Sequence, residues 1–152
     1  MKATKGRLRL CACLTGCLLV FIWGNSLLPA EVSQAFSDWV KDLLTSASPE
    51  TGGSGSGLLR KFAHFAEFAA LGMSLGWLFG MLGKRWIYPI LSGFGVACVD
   101  ETIQMFVPDR GPGLPDVALD TAGVAAGICV LYFGYKLGKK IINHKQLEEK
   151  SK

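Results

Sequence analysis

Three stretches of this chain set ionisable side chains inside or beside runs of apolar residues. The first holds Arg60, Lys61, His64 and Glu67, the second Asp100, Glu101 and Gln104, and the third Arg110, Asp116 and Asp120. An ionisable group at the centre of a helix in a bilayer costs about 3 kcal/mol, so such groups are rare and mark function by default. Arg60, Lys61 and Arg110 can hold a phosphate, the arginines through bidentate contacts. His64 or Glu101 can act as a general base with a neighbouring carboxylic acid as proton donor, which makes His64, Glu67, Asp100 and Glu101 the candidate catalytic groups. The same four include ligands for a divalent metal, but no metal-site spacing occurs among them, so neither a metal nor another cofactor is expected. No serine or cysteine has an evident base partner. The structural alternative is an ion network that locks helices together, for example Lys61 or Arg110 with Glu101. Buried ion networks stabilise poorly compared with apolar packing.

The elements that must position these residues are membrane helices. The chain has 152 residues, 50% of them hydrophobic, and 19 glycines. That composition fits one domain over residues 1–152, and a membrane domain. A span needs about 20 mostly apolar residues. Four stretches qualify, at residues 8–28, 62–82, 86–107 and 117–137. The expected fold is therefore all-α, a polytopic four-transmembrane-helix bundle. Helices this long, glycine-rich and closely spaced are unusual in a water-soluble all-α core. The net charge of +4 does not point to nucleic acid, because the basic residues sit at the ends of apolar segments rather than on one face of a soluble helix.

The basic residues set an orientation. Lys2, Lys5, Arg7 and Arg9 open the first span, Lys84 and Arg85 separate the second and third, and Lys136, Lys139, Lys140, Lys145, Lys150 and Lys152 close or follow the fourth. Only Lys41, Arg60, Lys61 and Arg110 fall on the other side. The positive-inside rule then places both termini, and the tail at residues 138–152, in the cytoplasm of a bacterial plasma membrane. The first span also admits a signal-peptide reading, against which its length argues, and Leu14-Thr15-Gly16-Cys17 resembles a lipoprotein cleavage box with a very short apolar lead. An uncleaved span fits better.

The outer loop at residues 29–60 divides in two. Val32, Phe36, Trp39, Val40 and Leu43 recur at helical spacing, which predicts an extracytoplasmic amphipathic helix over residues 31–45 on the membrane surface. Residues 48–57, rich in Gly, Ser and Pro, read as a flexible connector. The five cysteines all fall in apolar stretches and read as small buried hydrophobes.

Helical phase turns the polar groups one way. At 100° per residue Lys61 and His64 lie about 60° apart, with Gly72 about 20° from Lys61. Asp100, Glu101 and Gln104 fit within about a 100° arc that includes Gly93, and Asp116, Asp120 and Gly123 share a stripe. Gly72, Gly76 and Gly80, and likewise Gly123 and Gly127, form small-xxx-small runs that allow close helix approach, with Gly93, Gly95 and Ala97 doing the same on the third span. At about 1.5 Å per residue Glu67 and Glu101 lie roughly 9 Å inside the outer boundary and Asp120 about 5 Å inside. The charges should converge in an outward-facing pocket.

Asn25-Ser26 with Pro29, Lys61-x-x-His64, Asp100-Glu101-x-x-Gln104, Phe106-x-Pro108-x-Arg110, and Asp116 ahead of Gly123 occur in this order. Together they resemble the VanZ-like family, from about residue 25 to residue 127. The block running from Asp100 to Asp116 is the specific part. That resemblance implies a small bacterial membrane protein with a four-helix fold and an envelope role. The family's namesake is associated with low-level teicoplanin resistance. The chain departs from the family pattern in having Asp120 where Asn is usual and Arg60 where an acidic residue is frequent.

Three functions are consistent with these residues. The first is binding of an anionic lipid or lipid-linked cell-wall precursor at Arg60, Lys61, His64, Glu101, Gln104, Arg110, Asp116 and Asp120, with residues 108–115 shaping the mouth. The second is a membrane-embedded acid–base enzyme, a hydrolase or transferase, acting on such a lipid. The third is an ion pathway, disfavoured because the inner halves of the spans carry no charge to continue it. Membrane lipids are the expected partners in the first two.

Overall fold

The computed structural model describes residues 4–29, 31–32, 35, 55–108 and 113–150. Four long helices account for nearly all of them: α1 (Lys5–Ser26), α2 (Gly55–Met81), α3 (Ile87–Gln104) and α4 (Leu114–Lys150). No strand occurs among the described residues. The amphipathic helix expected over residues 31–45 lies almost wholly outside them, as do Arg110 and most of the expected connector. The end of that connector, residues 55–57, is the start of α2 rather than a flexible link.

Each helix begins and ends for a local reason. The chain leaves α1 at Ser26, where the Leu27 N–H returns to the Trp23 carbonyl, and Pro29 follows with no N–H to donate. α2 closes in a Schellman arrangement. Gly83 sits at φ 65°, its N–H bonds the Gly80 carbonyl at 3.2 Å, and the Lys84 N–H bonds the Phe79 carbonyl at 2.9 Å. Only a residue without Cβ adopts that φ at little cost, so Gly83 sets the tight turn into α3. Pro89 is tolerated because it lies in the first turn of α3, where backbone N–H groups have no intrahelical acceptor. Pro115 enjoys the same freedom in α4, whose first turn is closed by Asp116 and Val117 donating to the Gly113 carbonyl at 2.8 and 3.2 Å.

The four helices run alternately up and down, so α2 and α4 are parallel. Residues 65–69 of α2 lie beside Gly123 and Gly127, and Gly76 beside Ile128 and Leu131. This pair makes the most extensive contact in the bundle. Glycine permits it. A Cβ on Gly72 would overlap the Val124 carbonyl, one on Gly127 would overlap the Ala69 carbonyl, and one on Gly123 would come within 2.6 Å of the Phe65 carbonyl. Gly93 of α3 makes room for the Val124 side chain, whose methyl carbon would stand 2.5 Å from an added Cβ. Val124 is thus enclosed by three helices, in a core with Ile22, Phe68, Leu71, Leu75 and Ala97. Gly80 and Gly95, expected at contacts, have nothing within 4 Å of an added Cβ. The small-residue pattern runs further along the sequence than the contact does.

Burial is confined to one stripe per helix. In α1 it comprises Cys11, Thr15, Ile22 and Ser26, spaced at four, seven and four residues. Large apolar side chains face outward instead, among them Val20, Phe21, Phe62, Trp86, Val130 and Phe133. Among the described residues, five polar or charged ones are buried: Thr15, Ser26, Asp100, Glu101 and Asp120. This inverts the distribution of a water-soluble protein. The single stripe also corrects the expectation for the cysteines. Cys11 is buried, but Cys13, Cys17 and Cys129 are exposed on outward faces and Cys98 is partly exposed.

Among the described residues, three helices are long and apolar enough to cross a membrane: Lys5–Ser26, Arg60–Met81 and Leu114–His144. The stretch expected as a third span, residues 86–107, forms an 18-residue helix that is not among them. Asp100, Glu101 and Gln104 in its last two turns lower its hydropathy. α4 extends further than expected, remaining helical to Lys150 through the segment expected as a tail.

The glycine contacts give a direct test. Gly72→Val and Gly127→Val are expected to lower stability in detergent by at least about 2 kcal/mol, because overpacking here meets backbone rather than a yielding side chain. Gly80→Ala should change it by less than about 0.5 kcal/mol. Thermal unfolding of the three purified variants reads the difference.

Candidate functional site

The ionisable residues meet at one end of the bundle. There α1 ends, α2 passes through its first half, α3 ends and α4 begins. Antiparallel neighbours bring these termini together, so residues far apart in sequence share one site.

Asp100 is at its centre and is fully buried, with 0% exposure. The Ser26 hydroxyl donates to its Oδ1 at 2.6 Å, and the Gln104 amide donates to its Oδ2 at 2.8 Å. The second contact joins residues four apart on one helix face; the first crosses from α1 to α3. One position earlier on α1, the Asn25 amide donates to Glu67 Oε1 at 2.9 Å. The other Glu67 oxygen, Oε2, is buried and has no hydrogen-bond partner among the described residues. Adjacent residues at the end of α1 therefore hold carboxylates from two other helices. Further along, the Thr15 and Ser74 hydroxyls lie 2.8 Å apart and continue the polar seam between α1 and α2.

Glu101 points toward α4. Its Oε2 accepts the Gly113 N–H at 2.9 Å, immediately before the first turn of that helix. A carboxylate there satisfies a backbone donor and faces the positive end of the helix dipole. The Glu101–Arg110 pair considered on sequence grounds involves a residue outside the described ones. Lys61 pairs with Asp116, at 3.9 Å, and both side chains are substantially exposed, at 56% and 39%. A pair that long and that open contributes little to stability.

These groups border a narrow polar crevice of about 300 Å³, its open mouth included. Arg60, Lys61, His64, Glu101, Gln104, Asp116, Leu119 and Asp120 line it. All are named as binding candidates from sequence except Leu119, an apolar wall residue. Arg110 completes the sequence-based set but lies outside the described residues. Of the catalytic candidates, His64 and Glu101 line the crevice. Asp100 is beneath it, and Glu67 is held by Asn25. His64, Asp100 and Asp120, from α2, α3 and α4, each offer a ligand-type atom within 4.8 Å of the other two. No spacing rule could have shown that set, because its members are 36 and 20 residues apart on separate helices.

Asn25 and Ser26, quoted from sequence only as part of the family motif, are further residues of the site. Both were visible as a polar pair ending an otherwise apolar helix just before Pro29. What they touch is decided by helix packing.

The VanZ/LLP1 family profile matches residues 11–135. The chain belongs to this family. No curated protein and no solved structure matches it. In this VanZ/LLP1 protein the matched segment begins at the buried Cys11 of α1, ends on α4, and includes every residue that lines the crevice.

Removing the Ser26 hydroxyl takes a donor from a fully buried carboxylate. Ser26→Ala is expected to destabilise the protein by about 1.5–3 kcal/mol. Thr102→Ala, which deletes an exposed hydroxyl bonded only to its own helix at the Cys98 carbonyl, should cost less than about 0.5 kcal/mol. Thermal melts in detergent compare the two, and equal effects would contradict the role given to Ser26.

Proposed function

We infer that this protein is a multi-pass plasma-membrane protein of the bacterial envelope whose outward crevice binds the phosphate of an anionic lipid or lipid-linked cell-wall precursor. The observation that carries this reading is the crevice itself, where Arg60, Lys61 and His64 line a polar opening at one end of a bundle whose sides carry many exposed large apolar residues. Guanidinium and ammonium groups at such a mouth suit a phosphate whose acyl chains stay in the surrounding bilayer. Arg110 is the further cation assigned to this role from sequence. In this reading α3 is the fourth span: its 18 residues cover about 27 Å, close to the hydrocarbon thickness of a bilayer. Lys84 and Arg85 occupy the opposite end of the bundle from the crevice, which supports cytoplasmic termini and an outward mouth. Glycopeptide resistance of the teicoplanin type would follow if the bound lipid were a cell-wall precursor.

A specific observation also favours an acid–base enzyme. His64 lies beside two buried carboxylates, as a proton-transfer group would.

The test reconstitutes the protein in nanodiscs and measures retention of phosphatidylglycerol against phosphatidylcholine by native mass spectrometry. The wild type should prefer the anionic lipid, and Arg60→Ala/Lys61→Ala should reduce that preference at least about tenfold, on the order of 1.4 kcal/mol. An unchanged preference would remove this reading. Turnover of a radiolabelled lipid-linked substrate, lost in His64→Ala, would establish the enzyme instead. In a teicoplanin-sensitive Gram-positive host, wild type should raise resistance and Glu101→Ala at matched membrane level should not. Topology is checked separately. A reporter fused after Lys152 should be active only in the cytoplasm, and a cysteine introduced at Ser48 should react with an impermeant thiol reagent from outside the cell.

A further inference from the structure

We propose that the floor of the crevice is a divalent-cation site with His64, Asp100 and Asp120 as its protein ligands. Their three candidate atoms lie within 4.8 Å of one another. Ligands about 2.1 Å from a shared ion stand roughly 3 to 4.2 Å apart. Small side-chain rotations therefore close the site without moving a helix. One ligand comes from each of α2, α3 and α4, so the site forms only when the bundle does.

The surroundings favour a cation on independent grounds. Asp100 is 0% exposed and Asp120 is 1% exposed. Asp120 stands in the field of four other carboxylates, Asp100, Glu101, Asp116 and Glu67. Among the described residues the lysine of the crevice is directed to Asp116 at the rim rather than to this floor. A buried Glu67 oxygen next to the cluster also has no hydrogen-bond partner among the described residues. Negative charge concentrated away from water is stabilised by a nearby positive charge, and a bound divalent ion supplies two. Asp100 is already oriented as a ligand would be. Ser26 and Gln104 each donate to one of its oxygens, and a carboxylate oxygen holding one such bond keeps a lone pair for an ion. His64 and Asp120 line the crevice, which provides a route for the ion from outside.

The donor set indicates the class of ion. One imidazole nitrogen and two carboxylate oxygens suit Zn²⁺, Mn²⁺ or Fe²⁺ better than Ca²⁺, which prefers six to eight oxygens. Three protein ligands leave a coordination position open toward the crevice for water or a phosphate oxygen. The cation site does not depend on the lipid reading, because the ion is held by protein groups alone.

The experiment uses the full chain in lipid-free detergent without a polyhistidine tag. The protein is stripped with EDTA and dialysed against Mn²⁺, and bound metal is measured by atomic emission. Mn²⁺ is the probe because it binds thiolates weakly, which keeps the five cysteines silent. Wild type should hold about one ion per chain, as a site with one set of ligands requires. His64→Ala and Asp120→Asn should each cut occupancy at limiting Mn²⁺ by at least about tenfold, and His144→Ala should leave it unchanged. Helicity and gel filtration verify folding. If Asp120→Asn does not fold, His64→Gln, at a half-buried position, carries the test. Absence of Mn²⁺ from the wild type, or occupancy that survives the folded His64 variants, would overturn the proposal. Cation binding without an anionic-lipid preference would count against the lipid reading alone. A lipid preference in a protein that binds no cation would count against the cation site alone.

Discussion

The backbone-to-backbone approach of α2 and α4 governs the rest of the molecule. Gly72, Gly123 and Gly127 let the two parallel helices touch, and Val124 fills the space that Gly72 and Gly93 leave open. In a lipid environment no hydrophobic force between helices would compensate for a poorer fit, so contact depends on shape and on polar bonds. With this contact made, the first half of α2 is level with the first turns of α4. His64 and Lys61 then stand beside Asp120 and Asp116. Widening the pair by one side chain would open the crevice and separate its walls.

Polar bonds set the position of the other two helices. The basic residues of α1 lie at its far end, yet its last two residues reach Glu67 on α2 and Asp100 on α3. Glu101 does the corresponding work between α3 and α4 through the Gly113 N–H. Each contact satisfies a group whose burial alone would cost several kcal/mol, so each holds its helices in one relative position. The carboxylates that make the site chemically interesting are also those that lock it together. The Lys61–Asp116 ion pair has no such role because it is open to solvent at the rim.

The division between an apolar exterior and a polar interior follows from the same arrangement. Each helix has one stripe to bury, and those stripes are occupied by glycines and apolar side chains such as Ile22, Phe68 and Leu71 along the bundle and by hydrogen-bonding groups at one end. Large side chains such as Phe21, Trp86 and Phe133 are left to face outward. A cavity built from helix ends can hold charge because backbone dipoles and side-chain amides are available there, whereas the core of the bundle is mostly apolar.

Amino-acid order by itself determined the all-helical class, the apolar segments and the residues able to do chemistry, because these depend on local composition and on a period of 3.6 residues. The family motif was legible for the same reason, and with it most of the residues that line the crevice. Helix ends were less legible. α3 stops short of its expected limit near Asp100 and Gln104, and α4 continues to Lys150 where a tail was expected. Partners were the least legible. Asn25 and Ser26 look like the polar end of a helix until packing brings Glu67 and Asp100 against them. That Glu101 also accepts the Gly113 N–H ahead of α4 shows only once the two helices are packed. His64, Asp100 and Asp120 have no telling spacing, because their proximity depends on three helices meeting. Tertiary structure alone decided these contacts, since distance across a bundle is set by which glycines permit backbones to touch and cannot be read along a single helix.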